Sequence, residues 1–189
     1  MRICIMRNFK ELIQSFVKST PKRVVRNEMS YQQTSDFTIA ELERLLTMYN
    51  SCIEEDQTAR SIRDSMVYHI RHSNDYAIRE KFGSHYRQDG VDEHNCTFEH
   101  IMPVNIVVSM LIEGRLTINQ ALNTPTCLIS KDDDVILRER GLGSRSPDNW
   151  YFFRRYTVLN SSFKTYNGHV ITNFNEYSLE DHFKLFGIV

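Results

Sequence analysis

An α+β fold is predicted for this chain by three observations. Apolar residues recur three or four positions apart through much of the first half. Two short apolar runs stand in the centre, residues 96–102 and 126–130, and the second leads straight into an acid-led helical stretch. Near the end, an Asn-Gly pair, Asn167-Gly168, sits between two short apolar stretches, as in a hairpin.

The elements follow in order. Ile5, Phe9, Leu12, Ile13, Phe16 and Val17 predict an amphipathic helix over 5–18, ended by Ser19-Thr20-Pro21. Residues 22–37 are mostly polar and read as a linker. Thr38-Ile-Ala-Glu41 has the form of a capping box, opening a helix through about residue 53 with Leu42, Leu45, Leu46 and Tyr49 on one face. A further helix is predicted from Thr58 to Lys81, stopped by Gly83, with Ile62, Met66, Ile70, Tyr76 and Ile78 on its apolar face. The texture changes near Gly90, which divides the chain into a helical region, 1–90, and a second region, 91–189. Cys96–Met102 reads as a strand ending at Pro103. Helices are expected at Ile106–Leu111 and from Thr117-Ile-Asn-Gln, and a second strand at Thr126–Ser130. Lys131–Arg140 is predicted helical, because its acids come first and its arginines last, as the helix dipole favours, with Gly141 as the stop. A hairpin at Tyr166-Asn167-Gly168 and a short helix from Ser178 to Gly187 complete the chain. Trp150-Tyr-Phe-Phe reads as core.

The totals exclude several classes. At 189 residues, with 41% hydrophobic and 25% charged, the chain can bury a core without disulfides. Cys4, Cys52, Cys96 and Cys127 are too scattered for a cysteine-based zinc clip, and free thiols fit a reducing cytoplasm. There is no apolar run long enough to span a membrane and no signal-peptide pattern at the start. The net charge of -1 argues against a general nucleic-acid coat, but basic residues cluster locally. Arg2, Arg7, Lys10, Lys18, Lys22, Arg23 and Arg26 face one acid, Glu11; a second basic stretch holds Arg138, Arg140, Arg145, Arg154 and Arg155. Such patches can contact phosphates on an otherwise neutral protein.

The chemistry concentrates in Thr97-Phe-Glu-His-Ile-Met-Pro-Val-Asn105, where Glu99 and His100 end a short apolar strand. Hydrolysis of a phosphodiester needs an activated water, charge neutralisation and help for the leaving oxygen. A histidine supplies the first, and a carboxylate-held divalent ion the others. Strand alternation sends neighbouring side chains to opposite faces, so both residues share a site only where the strand twists or stops, as Pro103 suggests. The plainer reading of Glu99-His100 is a hydrogen-bonded couple with no chemistry, and of Asp132–Asp134 a set of helix-capping acids.

Glu99-His100-Ile-Met-Pro103, followed by an apolar strand and an acid-led helix, resembles the HNH nucleases, also called His-Me finger or ββα-metal nucleases, over about residues 94–147. The resemblance implies a ββα-metal core around one divalent ion, Mg²⁺ or Mn²⁺, between the helical N-terminal region and the C-terminal hairpin and helix. It implies His100 as general base, Glu99 and Asp134 as metal ligands with Asp132 as a further one, and Arg138, Arg140 and Arg145 against the backbone of bound DNA. The chain departs from the family pattern in lacking Asn or His at the helix start, in the 34 residues separating His100 from Asp134, and in having no flanking cysteine pairs. The implied activity is metal-dependent DNA cleavage, by nicking or, through a homodimer or two nicks, across both strands. A non-catalytic DNA-binding or host-interaction protein that keeps the fold is the alternative, and RNA as substrate stays open.

Overall fold

The centre of the molecule is a five-stranded sheet in which β2 (Cys96–His100), β3 (Thr126–Ser130), β1 (Tyr86–Gln88), β4 (Phe163–Thr165) and β5 (Val170–Ile171) lie side by side in that order. It is seen in a computed structural model that describes residues 28–52, 57–74, 83–92 and 94–189. Residues 31–189 form one compact unit. The helix expected over 5–18 and the basic residues from Arg2 to Arg26 lie outside the described residues.

Helix α1, Glu28–Asn50, begins ten residues before the expected cap. Its opening Glu-Met-Ser-Tyr-Gln-Gln is polar but contains good helix formers, so a stretch read as a linker is helical. Thr38 is therefore a buried interior residue, and Glu41 pairs with Arg44 at 2.8 Å. Thr38, Leu42 and Leu45 form the buried stripe, at spacings of four and three. Helix α2, Gln57–Ser73, buries Ala59, Ile62, Met66, Ile70 and Ser73 in the same way. The rest of the predicted span, residues 75–82 with Tyr76 and Ile78, lies outside the described residues.

Strand β1, Tyr86–Gln88, is not anticipated by the sequence pattern, yet it sits inside the sheet. It pairs parallel with β3, Thr126–Ser130, and antiparallel with β4, Phe163–Thr165. A division at residue 90 falls inside the compact unit. Leu42, Leu45, Ile62, Met66 and Ile70 share one core with Tyr86, Ile129, Phe152 and Phe163.

Strand β2, Cys96–His100, pairs antiparallel with β3 from Cys96 opposite Ser130 to His100 opposite Thr126. Between them the chain makes helix α3, Val104–Ile112, and helix α4, Ile118–Leu122. Nearly all of α3 is apolar, and it is tied to α2 where Arg63 Nη2 donates to Ser109 Oγ at 2.8 Å. Thr117 and Gln120 make a capping box at the expected start of α4. Helix α5, Lys131–Glu139, follows β3 directly, with Ser130 Oγ accepting from the Asp133 amide and three acids in the first turn. Gly141 follows the helix end with φ 72°, the left-handed conformation that glycine adopts freely. A 3₁₀ helix, Phe152–Val158, then buries Phe152, Phe153, Arg155 and Tyr156, whereas Trp150 is partly exposed. β4 and β5, Val170–Ile171, form the Asn-Gly hairpin, and helix α6, Leu179–Phe186, opens on a Ser178–Asp181 capping box. Among the described residues, no helix is long and apolar enough to cross a membrane.

Candidate active site

A cavity of about 730 Å³ opens where β2 ends. Glu99 and His100 both line it, together with Arg71 of α2, Asn105 of α3, Arg145 and Asn149 of the segment after α5, and Arg155 of the 3₁₀ helix. Regular alternation holds along the strand: the Phe98 and His100 rings meet edge to face, with centroids 5.6 Å apart. Glu99 lies between them in sequence. The strand stops one residue past it, and this termination lets side chains of both parities border one cavity.

Glu99 is held on both sides. Oε1 accepts from Arg155 Nη2, and Oε2 accepts from the Tyr156 hydroxyl at 3.0 Å. Arg155, 1% exposed, also donates through Nη1 to the Ile101 carbonyl at 2.8 Å and through Nη2 to the Leu142 carbonyl at 2.7 Å. Its Nε–H finds no acceptor among the described residues. Burial is the main reason that the Glu99 carboxyl titrates above the ordinary value. Asp134 pushes in the same direction, while Arg155 and Tyr156 pull it down. Burial, with Glu99 nearby, also raises the Tyr156 hydroxyl and the Cys127 thiol.

The remaining predicted residues separate. Asp134, in the first turn of α5, is close enough to influence Glu99 but lines an adjoining hollow of about 470 Å³ with Arg138 and Arg145. Gly143, Ser144 and Arg145 border both spaces. The Asp134 carboxylate accepts from Arg138 Nη2 at 2.8 Å, which leaves Arg138 paired. Asp132 is exposed, and two residues from Asp134 it lies about 200° around the helix, so the pair does not converge on one point. The acid between them is structural: Asp133 Oδ2 accepts from Gln88 Nε2 at 2.6 Å and from Ser161 Oγ at 2.9 Å. Arg140 caps the C-terminal end of α5, is exposed, and borders neither space.

Among the described residues, no group of three or more His, Cys, Asp and Glu side chains is arranged to hold a metal ion. An all-protein cage is therefore not what these residues fit. A carboxylate offers about four acceptor positions, and Glu99 uses two of them in the bonds just described. Glu99 at the cavity and Asp134 at the adjoining hollow are the carboxylates that could offer oxygens to a hard cation that keeps most of its waters.

Sequence reasoning did not place Arg71 or Arg155 at the site. A signal for Arg155 existed: it is embedded in the aromatic run Phe-Phe-Arg-Arg-Tyr, an arginine buried there would need an acid, and Glu99 is an acid in a second apolar run. Compared with known proteins, the chain matches no family model, no curated protein and no solved structure.

Proposed function

We propose that this chain is a metal-dependent endonuclease that hydrolyses DNA phosphodiester bonds, with His100 as general base. The observation that carries this reading is the shared cavity: Glu99 and His100 border it at the end of β2, with Arg71 and Arg145 on its walls. His100 takes a proton from water as the water oxygen bonds to phosphorus and the bond from phosphorus to the sugar oxygen breaks. Arg71 and Arg145 hold the polyanionic backbone, each as a bidentate donor to phosphate oxygens. Glu99 and Asp134 would hold the divalent ion, which would supply charge neutralisation for the phosphate and the leaving oxygen. One such site cuts one strand, so cleavage of both takes two copies or two successive nicks.

A second reading has its own support. Both Glu99 oxygens already accept hydrogen bonds from buried partners, as in a purely structural ion pair. A non-catalytic DNA-binding or host-interaction protein would keep that arrangement.

Plasmid nicking with Mg²⁺ or Mn²⁺ separates the two. Wild type is expected to convert supercoiled DNA to nicked or linear forms, EDTA to stop it, and His100→Ala to lower the rate by about 100-fold or more. Equal inactivity of wild type and His100→Ala on DNA and RNA would remove the nuclease reading.

A further inference from the structure

We infer that Arg155 is the positioning residue of this site, one buried group that sets the strand end bearing His100 and the cavity wall opposite it; the catalytic consequence rests on the nuclease reading above. Its contacts flank His100 on both sides: Nη2 holds the Glu99 side chain and Nη1 the Ile101 carbonyl. The same Nη2 reaches the carbonyls of Leu142 at 2.7 Å and Gly143 at 3.5 Å. Those carbonyls begin the segment that brings Ser144, Arg145 and Asn149 to the cavity. One planar guanidinium therefore sets the spacing between the base and the phosphate-contacting arginine.

Stability alone gives little reason for such a residue. A buried ion pair recovers little beyond the cost of desolvating both charges, and well-packed apolar side chains do as well or better. A guanidinium does offer five donors in a rigid fork that stays charged at any working pH. Lysine has neither the fork nor the reach to several fixed acceptors at once.

The test compares Arg155→Lys and Arg155→Ala with wild type. A third variant, Arg155→Met combined with Glu99→Gln and compared with Glu99→Gln alone, removes both charges together and leaves no buried charge alone, so its fold is the one expected to survive. Circular dichroism and near-ultraviolet signals establish which variants are folded. The His100 ring resonances, assigned by their loss in His100→Ala, are read without substrate. They are expected to shift in every folded Arg155 variant. In nicking, kcat of Arg155→Lys and Arg155→Ala is expected to fall roughly 100-fold, the scale of a misplacement of about 1 Å, with KM changed only a few-fold. Arg145→Ala should instead act mainly on KM. Millimolar guanidinium should restore part of the Arg155→Ala rate and none of the His100→Ala rate. A folded variant with unmoved His100 resonances overturns the inference, whatever its activity. Shifted resonances in a protein whose wild type cuts nothing would keep the positioning role and discard the reaction.

Discussion

Two buried polar clusters among the described residues handle charge in opposite ways. At the end of β2, Glu99, Arg155 and Tyr156 keep an ion pair beside a cavity. Under α6, His85, Tyr86, Tyr177 and His182 form a network without a countercharge. His182 Nε2–H donates to the Asn123 carbonyl at 2.8 Å, which leaves Nδ1 to accept from the Tyr86 hydroxyl at 2.7 Å. The two histidine rings stand 4.8 Å apart, edge to face. Burial holds His182 down at about 3 and His85 well below its ordinary value, so both are neutral near pH 7. Where the fold needs only a tie between the sheet and a helix, it buries neutral rings. It keeps a formal charge pair at the cavity, where a ligand would meet it.

The largest expected effect breaks the charged cluster from one side. Arg155→Met alone should cost about 3–5 kcal/mol, because it leaves the Glu99 carboxylate buried without its cation. The double change with Glu99→Gln should recover most of that loss. Urea unfolding of the three proteins measures it, and a single variant as stable as wild type would mean that Glu99 does not carry its charge in the fold.

Acidification probes the neutral cluster. With His182 at about 3 when folded and near 6.5 when unfolded, the unfolded chain binds more protons between those values. Stability is therefore present above pH 6.5 and declines as pH falls, by about 2 kcal/mol from this residue between pH 7 and 5. His85 adds in the same direction. Glu99, raised in the folded state, works oppositely: its contribution is favourable at low pH and is lost as pH rises through its folded value. Urea midpoints at pH 7, 6 and 5 should fall in wild type, and fall less in His182→Gln. A flat wild-type profile would refute the neutral assignment.

The smallest effect sharpens the contrast between buried and exposed pairs. Arg138→Ala removes the ion pair to Asp134, whose arginine is 62% exposed, and should change stability by only a few tenths of a kcal/mol. A loss comparable with that of Arg155→Met would show that exposure does not separate the two pairs.

The parts of the fold legible in the sequence are those written locally. β2, β3, α5, the Asn-Gly hairpin and α6 each carry a nearby stop, cap or turn: Pro103, Ser130, Gly141, Gly168, Ser178. β1 carries none. Its three residues, Tyr-Arg-Gln, become a strand through partners about 40 and 80 residues later in the chain. The opening of α1 was hidden by composition, because polar helix formers resemble a linker until the apolar stripe of Leu42 and Leu45 begins. The candidate site divides along the same line. Glu99 and His100 are adjacent and stood out together, whereas Arg71 and Arg155 reach them only through tertiary structure. Asp134 as ligand and Asp132 as a further one came from one run of three acids, and the turn of the helix separates them.

The excursion between β2 and β3 also has a consequence in time. His100 pairs with Thr126 only after α3 and α4 have been looped out, and the neck closes where the Ile101 amide donates to the Pro125 carbonyl at 3.0 Å. The β4–β5 hairpin closes across a few residues and has no such excursion to make. Contacts with short loops form before contacts that must first close long ones. During refolding, then, the C-terminal hairpin is expected first, the strand pair that carries Glu99 and His100 next, and β1, whose partners lie farther along the chain, joins last.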